Sequence, residues 1–288
     1  MLPIQHILFP VDFSNRCCAA APFVAAVAGR FGAKITLLSV AQLFPYAGIG
    51  DPGAAVIIDA DEIMNELKDR LDTVLVKEFA SLAVERIVEM GDPTKVIIDF
   101  AHTNSVDLIM MPTHGYGPFR SLLLGSVTAK VLHDAECPVW TAAHVEDHPV
   151  KDHTQTRAIL CAVDGSEKSV ELMRWAGQLA KDFGASLRLV HVIPGIESWP
   201  ARQMDRQFEE DMRLEARKKV EELQEAAGVD CPLCIAVGVV AEGVREEARR
   251  HSSDAIVIGR GVIHETLGRL RTHAHEIIRR SPCPVLSV

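Results

Sequence analysis

The chain carries the same stretch of sequence twice, and this repeat limits the folds open to it. Residues 7–40 align without a gap with residues 159–192. Identical pairs at matching positions are Ile7 and Ile159, Leu8 and Leu160, Val11 and Val163, Asp12 and Asp164, and Ser14 and Ser166. The spacing exceeds the roughly 20–50-residue units of solenoid proteins and has the size of a domain. We therefore predict two tandem copies of one fold, over residues 1–145 and 157–288.

Within each copy, short apolar segments alternate with amphipathic ones. Predicted strands cover 6–10, 34–40, 83–89, 106–111 and 138–142, and then 158–162, 186–192, 233–237, 255–258 and 284–288. Predicted helices cover 14–31, 61–82, 92–103 and 126–135, and then 169–183, 202–227, 241–251 and 271–280. Apolar strands separated by helices are typical of a parallel sheet covered on both faces. The pattern predicts an α/β fold of two doubly wound domains, each with a five-stranded parallel sheet flanked by helices.

Two segments fall outside this alternation. Residues 42–60 are rich in Gly and Pro, which indicates a flap over a site or a segment packed on a partner. Residues 143–157 are polar and rich in His and charge, which is typical of a linker between domains.

The net charge of −9 is shared unevenly between the copies. Residues 1–147 hold 10 Lys/Arg against 18 Asp/Glu, and the remainder holds 20 against 21. Neither balance favours attraction to a nucleic-acid backbone. No apolar run reaches the roughly 18–20 residues that span a bilayer, and the first residues lack the basic segment of a signal peptide. We expect a cytoplasmic protein without a nucleic-acid or membrane partner.

The seven cysteines are an odd number, which argues against a disulfide framework. Cys231 and Cys234 form one CxxC pair. A zinc site would need a second pair of ligands, and a thioredoxin-like motif should open a helix. We therefore interpret both cysteines as small packing residues.

A carboxylate follows the first predicted strand. Ligands of open parallel α/β sheets bind beyond the carboxyl ends of the strands, where the direction of winding reverses. Asp12 lies at such an end and can accept hydrogen bonds from a ribose hydroxyl or an amine of a base. The alternative is that Asp12 caps the next helix, although Ser14 is better placed for that role. We therefore interpret Asp12 as a ligand contact.

A second candidate segment, residues 112–128, follows the fourth predicted strand. Gly115 and Gly125 flank a loop, and Gly125 opens a helix. Glycine lets backbone amides approach a phosphate closely, and the N–H groups at a helix start favour an anion. Ser126 can offer its hydroxyl to a phosphate or cap its own helix. The segment matches neither the GxxxxGK[ST] nor the GxGxxG fingerprint.

Taken together, these segments resemble the universal stress protein family. The family's ATP-binding pattern, G-x2-G-x9-G-[S/T], is matched from its second glycine at Gly115 to Gly125-Ser126. The strand-end Asp12, the Gly-Ser-Val after the loop and the Cys-Pro-Val before the last strand match as well. The resemblance covers essentially the whole chain, as a tandem two-domain member.

The resemblance implies an adenine-nucleotide alpha-hydrolase-like fold with ATP in the first domain and Mg²⁺ carried on its phosphates. Adenine would lie near Asp12 and Val40, and the phosphates near Gly115 and the start of the following helix. The candidate binding residues are Pro10, Val11, Asp12, Val40, Met111, Pro112, His114, Gly115, Gly125, Ser126, Val127 and Thr128. No catalytic or metal-binding residue is assigned.

The resemblance also implies how the copies meet. Single-domain relatives are expected to pair their last strands edge to edge, which here would join 138–142 with 284–288 inside one chain. We therefore predict an intramolecular pseudo-dimer. A homodimer of whole chains stays open, and the protein partner is not identified.

The chain departs from the family pattern at its first glycine. Pro112 stands there, and proline has no N–H to donate to a phosphate. His114 and Arg120 are candidate compensating phosphate partners, or they face solvent.

The second copy departs further. Gly259 is present, but Val262 replaces Gly115 and Arg271 replaces Gly125. The basic residues of the region are Arg260, Arg269, Arg271, His273 and His275. They indicate either a site for a different anion or a degenerate site with a solvated or interfacial basic face, so the ligand of this domain is unknown.

Three functions follow from these patterns. The leading one is a stress-associated nucleotide-binding protein that holds ATP as a regulatory or structural ligand. A slow ATPase is the second, although the sequence has neither a Walker lysine nor an evident Asp pair for two metal ions. The third is a nucleotide-free interaction protein in which both sites are relics.

Overall fold

The computed structural model describes residues 2–42, 59–113, 124–142, 155–194, 206–260 and 272–288. Over these ranges the strands are β1 (His6–Pro10), β2 (Lys34–Ala41), β3 (Val84–Met90), β4 (Leu108–Met111), β5 (Val139–Thr141), β6 (Ala158–Val163), β7 (Ser186–Pro194), β8 (Leu233–Gly238), β9 (Ala255–Ile258) and β10 (Val285–Ser287). The helices are α1 (Asn15–Phe31), α2 (Ala60–Thr73), α3 (Pro93–Thr103), α4 (Ser126–Asp134), α5 (Ser169–Phe183), α6 (Arg206–Ala227), α7 (Val240–Arg250) and α8 (Thr272–Arg280). Most of the predicted flap and most of the linker lie outside the described residues.

The strands form one sheet in the order β3-β2-β1-β4-β5-β10-β9-β6-β7-β8. All pairs within a repeat are parallel, which confirms the predicted α/β fold with a doubly wound sheet in each copy. The chain winds outward from β1 to β3, and then β4 and β5 continue on the opposite side of β1. The winding therefore reverses between β1 and β4, and between β6 and β9 in the second domain.

The two domains join along an antiparallel pair of strands, β5 and β10, in which Trp140 lies opposite Leu286. Trp140 is fully buried at this seam. Its ring packs edge-on against Phe23 and Phe183, with centroids 5.1 Å and 6.1 Å away. Because Phe23 and Phe183 come from different domains, the apolar core is continuous across the seam. The predicted intramolecular pseudo-dimer is confirmed.

Most predicted boundaries hold to within two residues, but the prediction for the second helix is wrong. The pattern predicts one helix over 61–82, whereas α2 ends at Thr73 and residues 74–80 form turns. Leu75 has a φ of 56°, in the left-handed region that interrupts a helix. Leu75 and Phe79 are both buried in the main core, so the turns that follow α2 still contribute apolar side chains to it.

Cys231 and Cys234 belong to different apolar clusters, so their side chains do not converge. Among the described residues, no group of His, Cys, Asp and Glu is arranged to hold a metal ion. No helix in the described ranges is long and apolar enough to cross a membrane.

Candidate functional site

The reversal of winding in the first domain leaves a crevice at the carboxyl ends of β1 and β4. Leu8 pairs with Ile109, which brings the strand ends at Pro10 and Met111 to the same edge of the sheet. Val11 and Met111 are buried there. In open α/β sheets this is the place where ligands bind. The segments that follow the two strands, around Asp12 and Pro112, therefore border one site.

Asp12 extends from the end of β1 with its side chain exposed. Its Oδ1 accepts a hydrogen bond from the backbone N–H of Ser14 at 2.9 Å, and we find no partner for Oδ2 among the described residues. Ser14 is the N-cap of α1, since its hydroxyl accepts from the N–H of Cys17 at 3.1 Å. The capping alternative for Asp12 is thereby removed, and one carboxylate oxygen can accept from a ligand.

The turn after β1 has an unusual backbone. Phe13 adopts a φ of 61°, and the matching residue of the second domain, Gly165, has a φ of 74°. This region is costly for a bulky residue and cheap for glycine. The Phe13 ring packs on the main core, and the guanidinium carbon of Arg70 lies 4.3 Å from the ring centroid. The alignment of Phe13 with Gly165 is the sequence signal for this turn, and the sequence interpretation missed it.

Helix α4 starts on the other side of the crevice without a side-chain cap. Ser14, Asp59 and Asp92 cap the N-termini of α1, α2 and α3, whereas Gly125 is the N-cap of α4 and no side chain in the described part of the chain replaces it. The first N–H groups of a helix have no partner within it, and the helix dipole makes that end favourable for an anion. The start of α4 is thus suited to a phosphate.

Gly125 and Ser126 stand at the start of α4. Gly125 has φ −57° and ψ 142°, which any residue adopts, so the turn itself does not require glycine. As glycine, it places no side chain at the helix start. Ser126 is the first helical residue rather than the cap, and its side chain is exposed. Of the two roles predicted for its hydroxyl, contact with a phosphate is the one that the geometry leaves.

Thr128 and Pro112 are tied to each other. Thr128 is buried, and its hydroxyl donates to the carbonyl of Pro112 at 3.1 Å. The carbonyl of Thr113, in turn, accepts from the N–H of Gly125 at 2.9 Å. The Thr128 side chain therefore fixes α4 onto the end of β4, and only its backbone N–H remains for a ligand.

The remaining predicted site residues fall into two groups. Val40 lies at the end of β2 and packs partly buried beside the apolar cluster under α3. Val127 also packs against this cluster from α4. His114 and Gly115 lie outside the described residues, as does Arg120, so their roles stay predictions.

The equivalent carboxylate in the second domain is held by its own chain. Oδ1 of Asp164 accepts from the N–H and hydroxyl of Ser166, at 2.9 Å and 2.7 Å, and from the hydroxyl of Ser169 at 2.9 Å. Burial acts to raise the pKa of Asp164, but the hydrogen bonds from both serines outweigh it, and the pKa is lowered. The His191 ring lies 3.3 Å from where a Cβ on Gly165 would be, with its Nδ1 2.9 Å from the Val163 carbonyl oxygen. This crevice differs from that of the first domain in its contacts as well as in its loop.

Arg260, predicted either to help bind an anion or to form an interfacial basic face, contacts the first domain. Its guanidinium donates to backbone carbonyls of residues 135–137. Val262, Arg269 and Arg271 lie outside the described residues.

Comparisons with known proteins identify the family of this chain. The model of the universal stress protein family matches residues 3–142 and 155–288. The chain belongs to this family. A universal stress protein of Methanocaldococcus jannaschii is 30% identical over 141 residues, which is 47% of this chain and 79% of that protein. A universal stress protein of Thermus aquaticus is 30% identical over 138 residues, 47% of this chain and 96% of that protein. Each of these relatives therefore aligns with about half of this chain.

Two solved structures of universal stress proteins match nearly the whole of this chain. The structure from Archaeoglobus fulgidus has a TM-score of 0.69 at 23% identity and covers 99% of this chain and 96% of its own. One from Pseudomonas aeruginosa has a TM-score of 0.65 at 18% identity and covers 99% and 93%. At these identities the likeness establishes the shared fold. In both cases the match extends over nearly the full length of both chains.

Proposed function

We propose that this universal stress protein binds one adenine nucleotide per chain, ATP by preference, in the crevice between β1 and β4 of the first domain. The observation that carries the proposal is the placement of Asp12 and the uncapped start of α4 on the two sides of one switch point. A hydrogen-bond acceptor at one side suits a ribose or a base, and a positive helix end at the other suits phosphates.

Each described group has a role in this proposal. The Asp12 carboxylate accepts from the ribose or adenine, over a floor formed by Val11 and Met111. The N–H groups of Ser126, Val127 and Thr128 face the phosphates, and Ser126 adds its hydroxyl. Mg²⁺, if present, is carried by the phosphates. The nucleotide serves as a structural or regulatory ligand in a stress-associated protein.

The second domain does not bind ATP in the same way under this proposal. Oδ1 of Asp164 accepts three hydrogen bonds from the chain, where Oδ1 of Asp12 accepts one, and the imidazole of His191 lies beside Gly165. Its loop also carries Val262 and Arg271 in place of the glycines. We therefore expect one bound nucleotide rather than two.

Replacement of the two matching aspartates tests the proposal. We expect Asp12→Ala to weaken ATP and adenosine binding alike by about 10–100-fold, since a hydrogen bond to a charged group is worth about 1.5–3 kcal/mol. The unfolding free energy should change by less than about 1 kcal/mol, because Ser14 rather than Asp12 caps α1. Isothermal titration calorimetry with both ligands, beside urea denaturation, measures the two quantities.

Asp164→Ala is the matched control. It should leave ATP affinity unchanged and lower the unfolding free energy, because Ser166 and Ser169 lose their shared acceptor. The assignment of the first crevice would be overturned if Asp164→Ala, and not Asp12→Ala, reduced nucleotide binding.

A further inference from the structure

The side chain of Arg260 crosses from the second domain into the first. Arg260 lies two residues beyond the end of β9, and its backbone N–H donates to the carbonyl of Val288 at 3.0 Å. Its guanidinium donates to the carbonyl of Ala135, to that of Glu136 at 3.3 Å and to that of Cys137 at 2.8 Å. One side chain therefore joins the end of β9 to three consecutive carbonyls of the other domain.

The first of these carbonyls lies at the C-terminal end of α4, and the other two lie in the turn that follows it. Ala135 is the C-cap of this helix. Carbonyls at a helix end lack partners within the helix, and a cation there is favourable because that end of the dipole is negative. Burial lowers the pKa of Arg260, yet an arginine stays charged at neutral pH. Arg260 thus provides α4 with a cationic C-terminal cap from the second domain.

Apolar contacts hold α4 against the second domain as well. Leu124, which precedes the helix, is buried within the cluster that contains Ile277 and Val285 of the second domain. Ala129 and Leu132 of α4 pack against the same cluster. The position of α4 is therefore set by the second domain as much as by its own.

The reverse contact is absent from the described part of the chain. The first-domain residue that matches Arg260 is Thr113, whose short side chain is buried. The second-domain residue that matches Ala135 is Ser281, and its hydroxyl donates locally to the carbonyl of Cys283 at 2.6 Å. Ser281 thus makes its hydrogen bonds within its own turn, whereas the carbonyl of the matching Ala135 accepts from Arg260 of the other domain. Among the described residues this contact runs in one direction, from the second domain to the first.

We propose that Arg260 is a positioning residue for the nucleotide site of the first domain, supplied by the second. It holds the far end of α4, about 14 Å from the start of this nine-residue helix, and so fixes where the N–H groups of Ser126 and Val127 point. Arg260 thus orients the phosphate helix of the neighbouring domain. This inference rests on the proposed nucleotide site.

Arg260→Met tests the inference. We expect ATP to bind about tenfold more weakly, equivalent to about 1.4 kcal/mol, while adenosine affinity is unchanged, because α4 contacts only the phosphates. Arg260→Lys should recover part of the ATP affinity by restoring a cation and one or two donors. Calorimetric titration of the full chain with ATP and with adenosine measures both affinities.

Arg174→Met is the matched control. Arg174 donates to the carbonyl of Ala226 at 2.7 Å, so it also satisfies a helix end, but that of α6 within the second domain. It should leave ATP affinity unchanged. An equal loss for ATP and adenosine in Arg260→Met, or no loss for either, would overturn the positioning role. A wild-type chain that binds neither ligand would overturn the nucleotide site itself and this inference with it.

Discussion

Gly125→Val is expected to weaken ATP binding by at least about 100-fold while leaving the fold intact. Gly125 has backbone angles that valine adopts without strain, and its N–H bond to the carbonyl of Thr113 is retained. The branched side chain would stand at the entrance to α4, where phosphates must approach the N–H groups closely. A loss of about 2.7 kcal/mol in binding free energy corresponds to this factor.

Equilibrium dialysis with ATP, with thermal unfolding of the free protein alongside, separates binding from stability. Gly29→Val is the matched control, since Gly29 lies in α1 and a Cβ there would meet nothing within 4 Å. It should not change ATP affinity. Unchanged affinity in Gly125→Val would show that the start of α4 does not hold the phosphates.

Trp140→Ala is expected to be the most destabilising single change in the chain. Trp140 is fully buried at the β5–β10 seam and packs between aromatic rings of both domains. Removal of a buried tryptophan side chain costs about 3–5 kcal/mol, because transfer and cavity terms add. Since the seam joins both domains, we expect the whole chain to unfold at a lower denaturant concentration.

Two further variants make this test specific. In the described structure the Nε1 of Trp140 is buried without a hydrogen-bond partner, a state that costs about 1–3 kcal/mol. Trp140→Phe removes that atom and keeps most of the packing, so it should cost far less than Trp140→Ala. Trp175→Ala, at a partly exposed position, should also cost less. Equal losses from the alanine variants of Trp140 and Trp175 in guanidinium denaturation would contradict the central role of the seam.

The order of strands and helices follows from the sequence because the repeat and the alternation of apolar and amphipathic segments are both strong signals. The end of α2 does not, because residues 74–80 contain neither Gly nor Pro to mark a break. Leu75 and Phe79 keep the four-residue apolar spacing of a helix because both enter the core, where Phe79 packs against Phe9 with ring centroids 6.3 Å apart. Local patterns cannot reveal such a contact.

For the candidate site, too, sequence patterns predict one part and miss another. Asp12 and the start of α4 are found by the rule that ligands bind where the winding of a parallel sheet reverses. The contact between Arg260 and Ala135 joins residues 125 positions apart across the seam, and no local pattern marks it. Thr128 is among the predicted binding residues, but its hydroxyl donates a hydrogen bond to the carbonyl of Pro112.

The number of adenine nucleotides retained per chain tests the central claim most directly. The protein would be purified without added nucleotide and denatured, the supernatant resolved on an anion-exchange column, and the nucleotide-free protein titrated with ATP. We expect about one adenine nucleotide per chain, released from or titrated into the first domain. Two nucleotides per chain would contradict the proposed difference in binding between the domains. No nucleotide retained after purification and none bound on titration would contradict the nucleotide site.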